Sequence, residues 1–515
     1  MARAEGAPAF TLNQLAAFVA VAEAGTISAA AEKLHSSPSA LSAAVTELER
    51  ALQAQLLRRR KATGVSLTPT GEAVPEVEPL LAERDPAVMA HRIFAVHERS
   101  HRAHPRLDHR LDRRSSMTTV TVPEGSLFGP ANLPYGVYSV AGSTPRVATR
   151  LGDTVVDLAV LLGDEVFAAP TLNPFMAEGH DRWVAVREDI AERVSGDVPD
   201  EALHDLADVT LHLPIDVADY VDFYASEHHA ANLGRLFRPD SPDPLTPNWK
   251  HLPIGYHGRA SSIVVSGTDI VRPCGQRKGP DDPAPVFGPS VRLDIEAELG
   301  FLVGTGSAMG DRIPVDEVER HLFGVVVFND WSARDIQAWE YVPLGPNLGK
   351  SFASTISPWV VPLLALQAAK VPTPVQDPQP LPYLSMDRPW GLDVDLSVRW
   401  NGQEVSRPPY RDMYWSPAQM LAHLTVNGAP SRTGDVFASG TISGPGKETR
   451  GAFIELTWGG TQPVTVGGEQ RTFLEDGDEV VITASAPGPD GTRLGFGEAR
   501  GRILPARSTP AGGRW

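Results

Sequence analysis

Glu296 and Glu298 stand two positions apart inside the run Val291-Arg292-Leu293-Asp294-Ile295-Glu296-Ala297-Glu298-Leu299-Gly300-Phe301. Leu293, Ile295, Ala297, Leu299 and Phe301 alternate with them, so a strand here sends the apolar residues to one face and both glutamates to the other. Two carboxylates side by side repel unless something positive lies between them. A divalent cation fits that role, and oxygen donors without sulfur point to Ca2+, Mg2+ or Mn2+. The same pattern also describes the water-facing side of a half-buried strand.

Two further acids invite the same reading. Asp330 ends the apolar run Val325-Val326-Val327-Phe328 and opens Trp331-Ser332-Ala333-Arg334-Asp335. Asp222 lies in Asp219-Tyr220-Val221-Asp222-Phe223-Tyr224, a carboxylate among aromatic hydroxyls, where it either serves a site or caps the next helix. His229, seven residues on, has three readings: a metal ligand, a general base, or a buried histidine bonded to backbone. Lys350 in Leu344-Gly345-Pro346-Asn347-Leu348-Gly349-Lys350-Ser351 suggests a phosphate loop, but only three residues separate the glycines where that loop needs four.

The elements that position these residues read as short β-type runs between Gly/Pro turns: Val147–Leu151, Thr154–Leu158, Ile263–Val265, Val291–Val303, Val325–Phe328, Leu392–Trp400, Ile454–Trp458 and Glu479–Thr483. The clearest amphipathic helix is Arg182–Val194. The pattern predicts a mainly β fold, of α+β type, as a barrel or a sandwich-like roll.

The first part of the chain differs. Leu12, Leu15, Phe18, Val19 and Ala22 form a helical stripe, Ser28–His35 a second helix capped by Ser28, and Leu41, Val45, Leu48 and Leu52 a third after the break Ser36-Ser37-Pro38. Arg58-Arg59-Arg60-Lys61 then precedes Val65–Gly71, read as a strand and turn forming a wing. Residues 1–72 make this head. Residues 73–116 form a linker that ends in a tract of five histidines and seven arginines, a solvated connector or a weak metal binder.

Charge divides at the same point. The 515 residues carry a formal −17, yet residues 1–116 sum to +2, leaving −19 on residues 117–515. An acidic body disfavours binding to nucleic acid or an anionic membrane and suits cations. With 46 Gly and 46 Pro the chain is no helical bundle. Its one cysteine, Cys274, rules out an intrachain disulfide and a cysteine zinc site. The N-terminus lacks a signal-peptide layout and no apolar run reaches about 18 residues, so the reading is a soluble, cytoplasmic protein with no membrane partner.

Residues 1–72, through FVAVAEAGTISAAAEKLHSSPSALSAAVTELERALQAQLLRR and LTPTGE, resemble the winged helix-turn-helix head of LysR-type transcription regulators, which implies DNA as a partner. Two departures stand out: Pro75, Pro79 and Pro86 interrupt the usual dimerising helix, and Ala43-Ala44 replaces polar residues on the recognition helix. From about Leu127 to Pro505 the chain resembles the fumarylacetoacetase family. The likeness is carried in order by ANLPYGVYSVAG, DFYASEHHAANLGRLFRP, PNWKHLPIGYHGRASSIVVSGT, LDIEAELGFLVG, FNDWSARDIQAWEYVPLGPNLGKSF, ASGTISGP and FLEDGDEVVIT.

That resemblance implies a small SH3-like β-barrel at 117–216, a larger mixed β-roll at 217–507, a tail at 508–515 and a homodimer. It assigns Asp222, Glu296, Glu298 and Asp330 to Ca2+, and Asp330, Lys350 and Ser354 to Mg2+, with Ser354 where the family more often has threonine. His229 is then the base and Glu455 its orienting carboxylate. Arg334, Gln337 and Lys350 stabilise an oxyanion, while Tyr224, Arg238, Tyr256, Gln337, Tyr341 and Thr441 contact substrate. The implied reaction is hydrolysis of a carbon–carbon bond in a diketo acid. Two alternatives remain: a related diketo-acid hydrolase of the same superfamily, and a transcription regulator whose enzyme-like body senses a metabolite. The coincidence of the two breaks suggests upstream sequence joined to an enzyme that once began at Met117.

Overall fold

The computed structural model describes residues 116–507 throughout, and before them scattered positions between Phe18 and Leu67. It comprises two compact units, Met1–Arg113 and Arg114–Trp515. Residues 73–115 and 508–515, the expected linker and tail, lie outside the described residues, as do Ser28, Leu48 and Leu52.

In the first unit Phe18, Ala20 and Val21, then Ala30 and Ala31, then Leu41 and Val45 are helical and buried, in keeping with the apolar faces expected of them. Ser37 starts the third helix, its Oγ accepting the Ala40 N–H at 3.2 Å. The expected wing is a hairpin of β1 (Leu57–Arg60) and β2 (Gly64–Leu67), paired antiparallel from Leu57 with Leu67 to Arg60 with Gly64. Three of the four basic residues are thus strand residues of the hairpin and do not precede it.

The second unit is built on a thirteen-stranded sheet. Its strands are β3 (Tyr135–Ser139), β4 (Arg146–Leu151), β5 (Thr154–Asp157), β6 (Leu203–Asp205), β7 (Thr210–His212), β8 (Tyr220–Phe223), β9 (Gly255–His257), β10 (Ile263–Val265), β13 (Ala297–Val303), β14 (Leu322–Asp330), β16 (Ser354–Ile356), β17 (Trp359–Pro362) and β20 (Val436–Ala438). The order is β9-β8-β20-β13-β14-β17-β3-β4-β5-β6, with β7 on β3, β16 on β14 and β10 on β16. Pairing is mostly antiparallel, with β8–β20 and β10–β16 parallel. A five-stranded sheet orders β11 (Ile270–Val271), β22 (Arg493–Leu504), β21 (Glu479–Pro487), β18 (Asp395–Trp400) and β19 (Gln403–Ser406). Burial of all seven residues of β13 and all nine of β14 makes this pair the centre of the core. Each fully buried large apolar side chain there contributes about 1.5–3 kcal/mol.

The helices include α1 (His180–Val194) and three that carry site residues, α2 (Glu227–Phe237), α3 (Arg334–Glu340) and α4 (Phe453–Leu456). In α1 the buried residues Trp183, Val186, Ile190 and Val194 recur every three or four positions, as the sequence pattern predicts. No helix among the described residues is long and apolar enough to cross a membrane.

Several expectations need correction. The strands of 117–216 do not close on themselves as a barrel: β3 pairs with β17 through Tyr135–Val360 and Gly136–Trp359, so the small module continues the large sheet. The architecture is a mixed α/β one dominated by large mixed sheets. The run Val291–Val303 is two strands, β12 (Leu293–Asp294) and β13, because the Asp294 carboxylate takes the Ile295 N–H at 2.8 Å out of the ladder. Leu392–Trp400 is likewise interrupted, between Leu392 and Asp395. Ile454–Trp458, expected as a strand, is largely the short helix α4, whose first free N–H groups are satisfied by Asp294.

Candidate active site

β12 pairs with β15 (Ser332–Ala333), setting Leu293 opposite Ala333 and Asp294 opposite Ser332. After the break at Ile295-Glu296, β13 runs antiparallel to β14 with Ala297 opposite Asn329. The break turns Glu296 and Glu298 inward: they are 5 % and 0 % exposed, so the water-facing reading of the pair fails. Asp330 at the end of β14 lies opposite Ser354, and Asp222 in β8 lies opposite Tyr256. Three stretches of chain, β8, the segment from Glu296 into β13, and the end of β14, thereby bring Asp222, Glu296, Glu298 and Asp330 together, one carboxylate oxygen of each within 4.8 Å of the others.

The four acids are not equivalent. Glu296 receives Arg334 Nη1 at 2.8 Å and the Lys350 ammonium, which also reaches Asp330 Oδ2 at 2.8 Å. Ser354 Oγ donates to Asp330 Oδ1 at 2.8 Å. Among the described residues Asp222 accepts only the Tyr256 hydroxyl, at 2.7 Å, and Glu298 only the Gly440 N–H, at 2.9 Å. Gly440 has φ +76° and a Cβ there would lie 2.3 Å from the Phe223 carbonyl oxygen, so only glycine brings that N–H so close. Similarly, a Cβ at Gly349 would meet Gln337 Cα at 2.8 Å, which fixes the approach of Lys350 to α3.

Electrostatics follow this division. Burial works against the Glu296 carboxylate, yet Lys350, Arg334 and then His229 hold its pKa well below the usual carboxylate range. Burial raises Asp222 and Glu298 well above it, with Asp330 adding most to the first and Asp222 to the second. Asp330 is raised by burial despite Lys350. Burial opposes the charge of Lys350, but Asp330, Glu296 and Asp222 outweigh it and keep the ammonium protonated. Asp222 Oδ1 and Glu298 Oε1 are also buried without any hydrogen-bond partner. A site with two uncompensated carboxylates, each with one oxygen unpaired among oxygen donors, fits a hard divalent cation.

On the other side of Glu296 lies the histidine. Ser226 caps α2 by accepting the His229 N–H at 3.2 Å, and its own Oγ donates to the Ser443 carbonyl at 3.2 Å. His229 Nδ1 is 2.6 Å from Glu455 Oε2. Glu455 also accepts Asn232 Nδ2 and Ser443 Oγ, both at 2.9 Å. Burial raises the Glu455 pKa, but His229 and these hydrogen bonds outweigh it, so the carboxyl sits below its ordinary value. Tyr224 packs edge-on against the His229 ring, centroids 5.4 Å apart. This is the geometry of a base held by a carboxylate, with the ring's other nitrogen left for a substrate or water.

Arg334 opens α3. Its Nε donates to Asp294 Oδ2 at 2.7 Å and its Nη1 to Gln337 Oε1 at 3.1 Å, while Nη2 is buried without a partner. Thr441 Oγ1 is likewise buried and unpaired, next to Gly440. Arg238 is exposed, with Nη2 on the Pro244 carbonyl at 2.8 Å, and its charge is felt by Tyr224. Tyr341 is 41 % exposed and has no side-chain bond to the cluster. The sequence candidates therefore converge, except Tyr341 and the loosely placed Arg238. Missed were Asn232 and Ser443 on Glu455, and Asp294, although Asp294 shares the parity of Glu296 and Glu298 in the run Val291–Val303.

The pattern described as "Fumarylacetoacetate (FAA) hydrolase C-terminal" matches residues 219–504, and "Fumarylacetoacetase N-terminal" matches 131–214. The human fumarylacetoacetase is 47 % identical over 419 residues, covering 76 % of this chain and 99 % of that protein. The chain belongs to the fumarylacetoacetase family. Family membership extends well outside animals: the rice fumarylacetoacetase is 45 % identical over 417 residues, 75 % of this chain and 97 % of its own length. The carboxylate cluster, the His229–Glu455 pair and Arg334 all fall inside the C-terminal match. Residues 12–72, outside the fumarylacetoacetase region, match "Bacterial regulatory helix-turn-helix protein, lysR family".

Proposed function

We propose that the chain hydrolyses the carbon–carbon bond of 4-fumarylacetoacetate to fumarate and acetoacetate, the closing step of tyrosine and phenylalanine breakdown. The observation that carries this is the buried His229–Glu455 pair beside the four-carboxylate cluster and the unpaired Arg334 Nη2, in a chain that aligns with nearly the full length of the human fumarylacetoacetase.

His229, oriented through Nδ1 by Glu455, takes a proton from water at its other ring nitrogen. The water oxygen bonds to the carbonyl carbon of the fumaryl group, and the charge on the resulting alkoxide falls to Arg334, Gln337 and Lys350. Such prepositioned donors contribute about 3–4 kcal/mol each. The carbon–carbon bond then breaks with its electron pair on the acetoacetate carbon, which takes up a proton. Tyr224, Arg238, Tyr256, Tyr341 and Thr441 hold the substrate, with Arg238 suited to a terminal carboxylate. Asp222, Glu296, Glu298 and Asp330 would hold Ca2+, which would supply Lewis-acid charge for the diketone oxygens. Asp330, Ser354 and the main chain at Lys350 would hold Mg2+, since the Lys350 ammonium is already committed to Glu296 and Asp330. In H2 18O one labelled oxygen should enter the newly formed carboxylate of fumarate; fumarate formed without label would overturn the course of attack.

The enzyme region divides at 117–216 and 217–507, in keeping with family matches that meet between residues 214 and 219. The enzyme is a cytoplasmic homodimer. A second reading concerns the head: the match at 12–72 and the hairpin bearing Arg58–Arg60 support DNA contact by residues 1–72. A gel-shift assay with the full chain tests it. Ligand-dependent, sequence-specific binding without hydrolysis would favour a regulator with an enzyme-like sensor body.

A further inference from the structure

Asp294 is wholly buried, and both of its oxygens are filled twice. Oδ1 accepts the Ile295 N–H at 2.8 Å and the Phe453 N–H at 2.7 Å. Oδ2 accepts Arg334 Nε at 2.7 Å and the Ile454 N–H at 3.1 Å. In this it differs from Asp222 and Glu298, each of which keeps an oxygen free. A carboxylate with no free acceptor has nothing left for a substrate or a cation, so its work is done through what it holds.

What it holds lies on two sides of one reaction centre. Arg334 is fixed by its Nε, which leaves Nη1 for Glu296 and Gln337 and Nη2 unpaired. The two amides belong to the first turn of α4, and the next residue, Glu455, is the carboxylate on His229. One side chain thus sets the oxyanion donor and the base's orienting group relative to each other. Without it, a four-residue helix with unsatisfied N–H groups has little of its own to hold it.

We propose that Asp294 is a positioning residue for the hydrolysis, registering Arg334 against Glu455 and so aligning the oxyanion donor with the base. The inference rests on the hydrolase reading above. A small displacement of either group costs rate out of proportion to binding, because alignment is felt mainly in the transition state.

Asp294→Asn keeps the size of the side chain but puts an NH2 where Arg334 Nε and the Ile454 N–H need an acceptor. The expected result is a kcat lower by about 100-fold, with KM within about threefold, unchanged cation content and a single cooperative melt. The loss should shrink at least tenfold in an Arg334→Gln background and in a Glu455→Gln background, since Asp294 acts through those groups. A fall in kcat that tracks only the folded fraction, or one equally large in both backgrounds, would overturn the assignment. If the Asn variant does not fold, arginine-labelled NMR of the wild type decides. A slowly exchanging low-field Nε–H, lost in Arg334→Lys, supports the contact, and its absence defeats it. Wild-type turnover measured alongside separates the two readings: no wild-type hydrolysis defeats the hydrolase, while equal rates in wild type and Asn variant defeat Asp294 alone.

Discussion

His229 Nδ1 stands 2.6 Å from Glu455 Oε2, a buried pair formed across 226 residues of chain. The helix carrying each partner is anchored by a side chain from elsewhere in the sequence or just before it: Ser226 caps α2 and Asp294 receives the start of α4. Replacing His229 with Ala should lower kcat by at least 1,000-fold, within the range for loss of a general base, while fumarate still binds within a few fold of wild type. Near-normal turnover in a rapid-quench assay would remove His229 as the base.

The same pair predicts a pH dependence of stability. The Glu455 carboxyl is held below its ordinary value in the folded chain, so it is ionised where an unfolded chain, at about 4.3, already takes up a proton. Its contribution is complete above that pH and is lost as pH falls through the lower folded value. Melting temperatures between about pH 5 and 3 should therefore fall more steeply for wild type than for Glu455→Gln. Parallel curves would contradict the assignment.

Glu298 offers an unpaired oxygen and has no cationic neighbour in direct contact, unlike Glu296 with Lys350 and Arg334. Glu298→Gln should weaken Ca2+ binding at least tenfold in a calorimetric titration, because a neutral amide loses the charge a hard cation needs. Unchanged affinity and activity would argue against the carboxylate cluster as the cation site.

The enzyme unit begins at Arg114. Removing residues 1–113 should leave kcat and KM within about twofold, since every side chain placed at the site lies after Asp219. A large loss of specific activity in folded, truncated protein would show that the head belongs to the enzyme.

How far the sequence could be read depends on where each constraint comes from. Apolar alternation around Leu299 and Phe301 located β13, and the stripe from Trp183 to Val194 located α1, because both signals are local. The four clustered carboxylates were reachable from the spacing of Glu296 and Glu298, the strand end at Asp330 and the aromatic surroundings of Asp222. The break at Ile295 was not, since the Asp294 carboxylate that takes the Ile295 N–H is itself held by Phe453 and Ile454 about 160 residues away. For the same reason the residues around Glu455 read as a strand: β-branched and aromatic types outweighed a capping partner that no local window contains. The barrel expected at 117–216 came from resemblance, and strand pairing between Gly136 and Trp359 carries that module into the larger sheet instead.

The most direct measurement is the ultraviolet absorbance of 4-fumarylacetoacetate incubated with the purified chain and Ca2+, with products counted. Loss of the diketone band without any DNA is expected, with one fumarate and one acetoacetate per substrate, and no loss with His229→Ala. An unchanged spectrum with correctly folded, cation-loaded protein, or products in any other ratio, would contradict that activity.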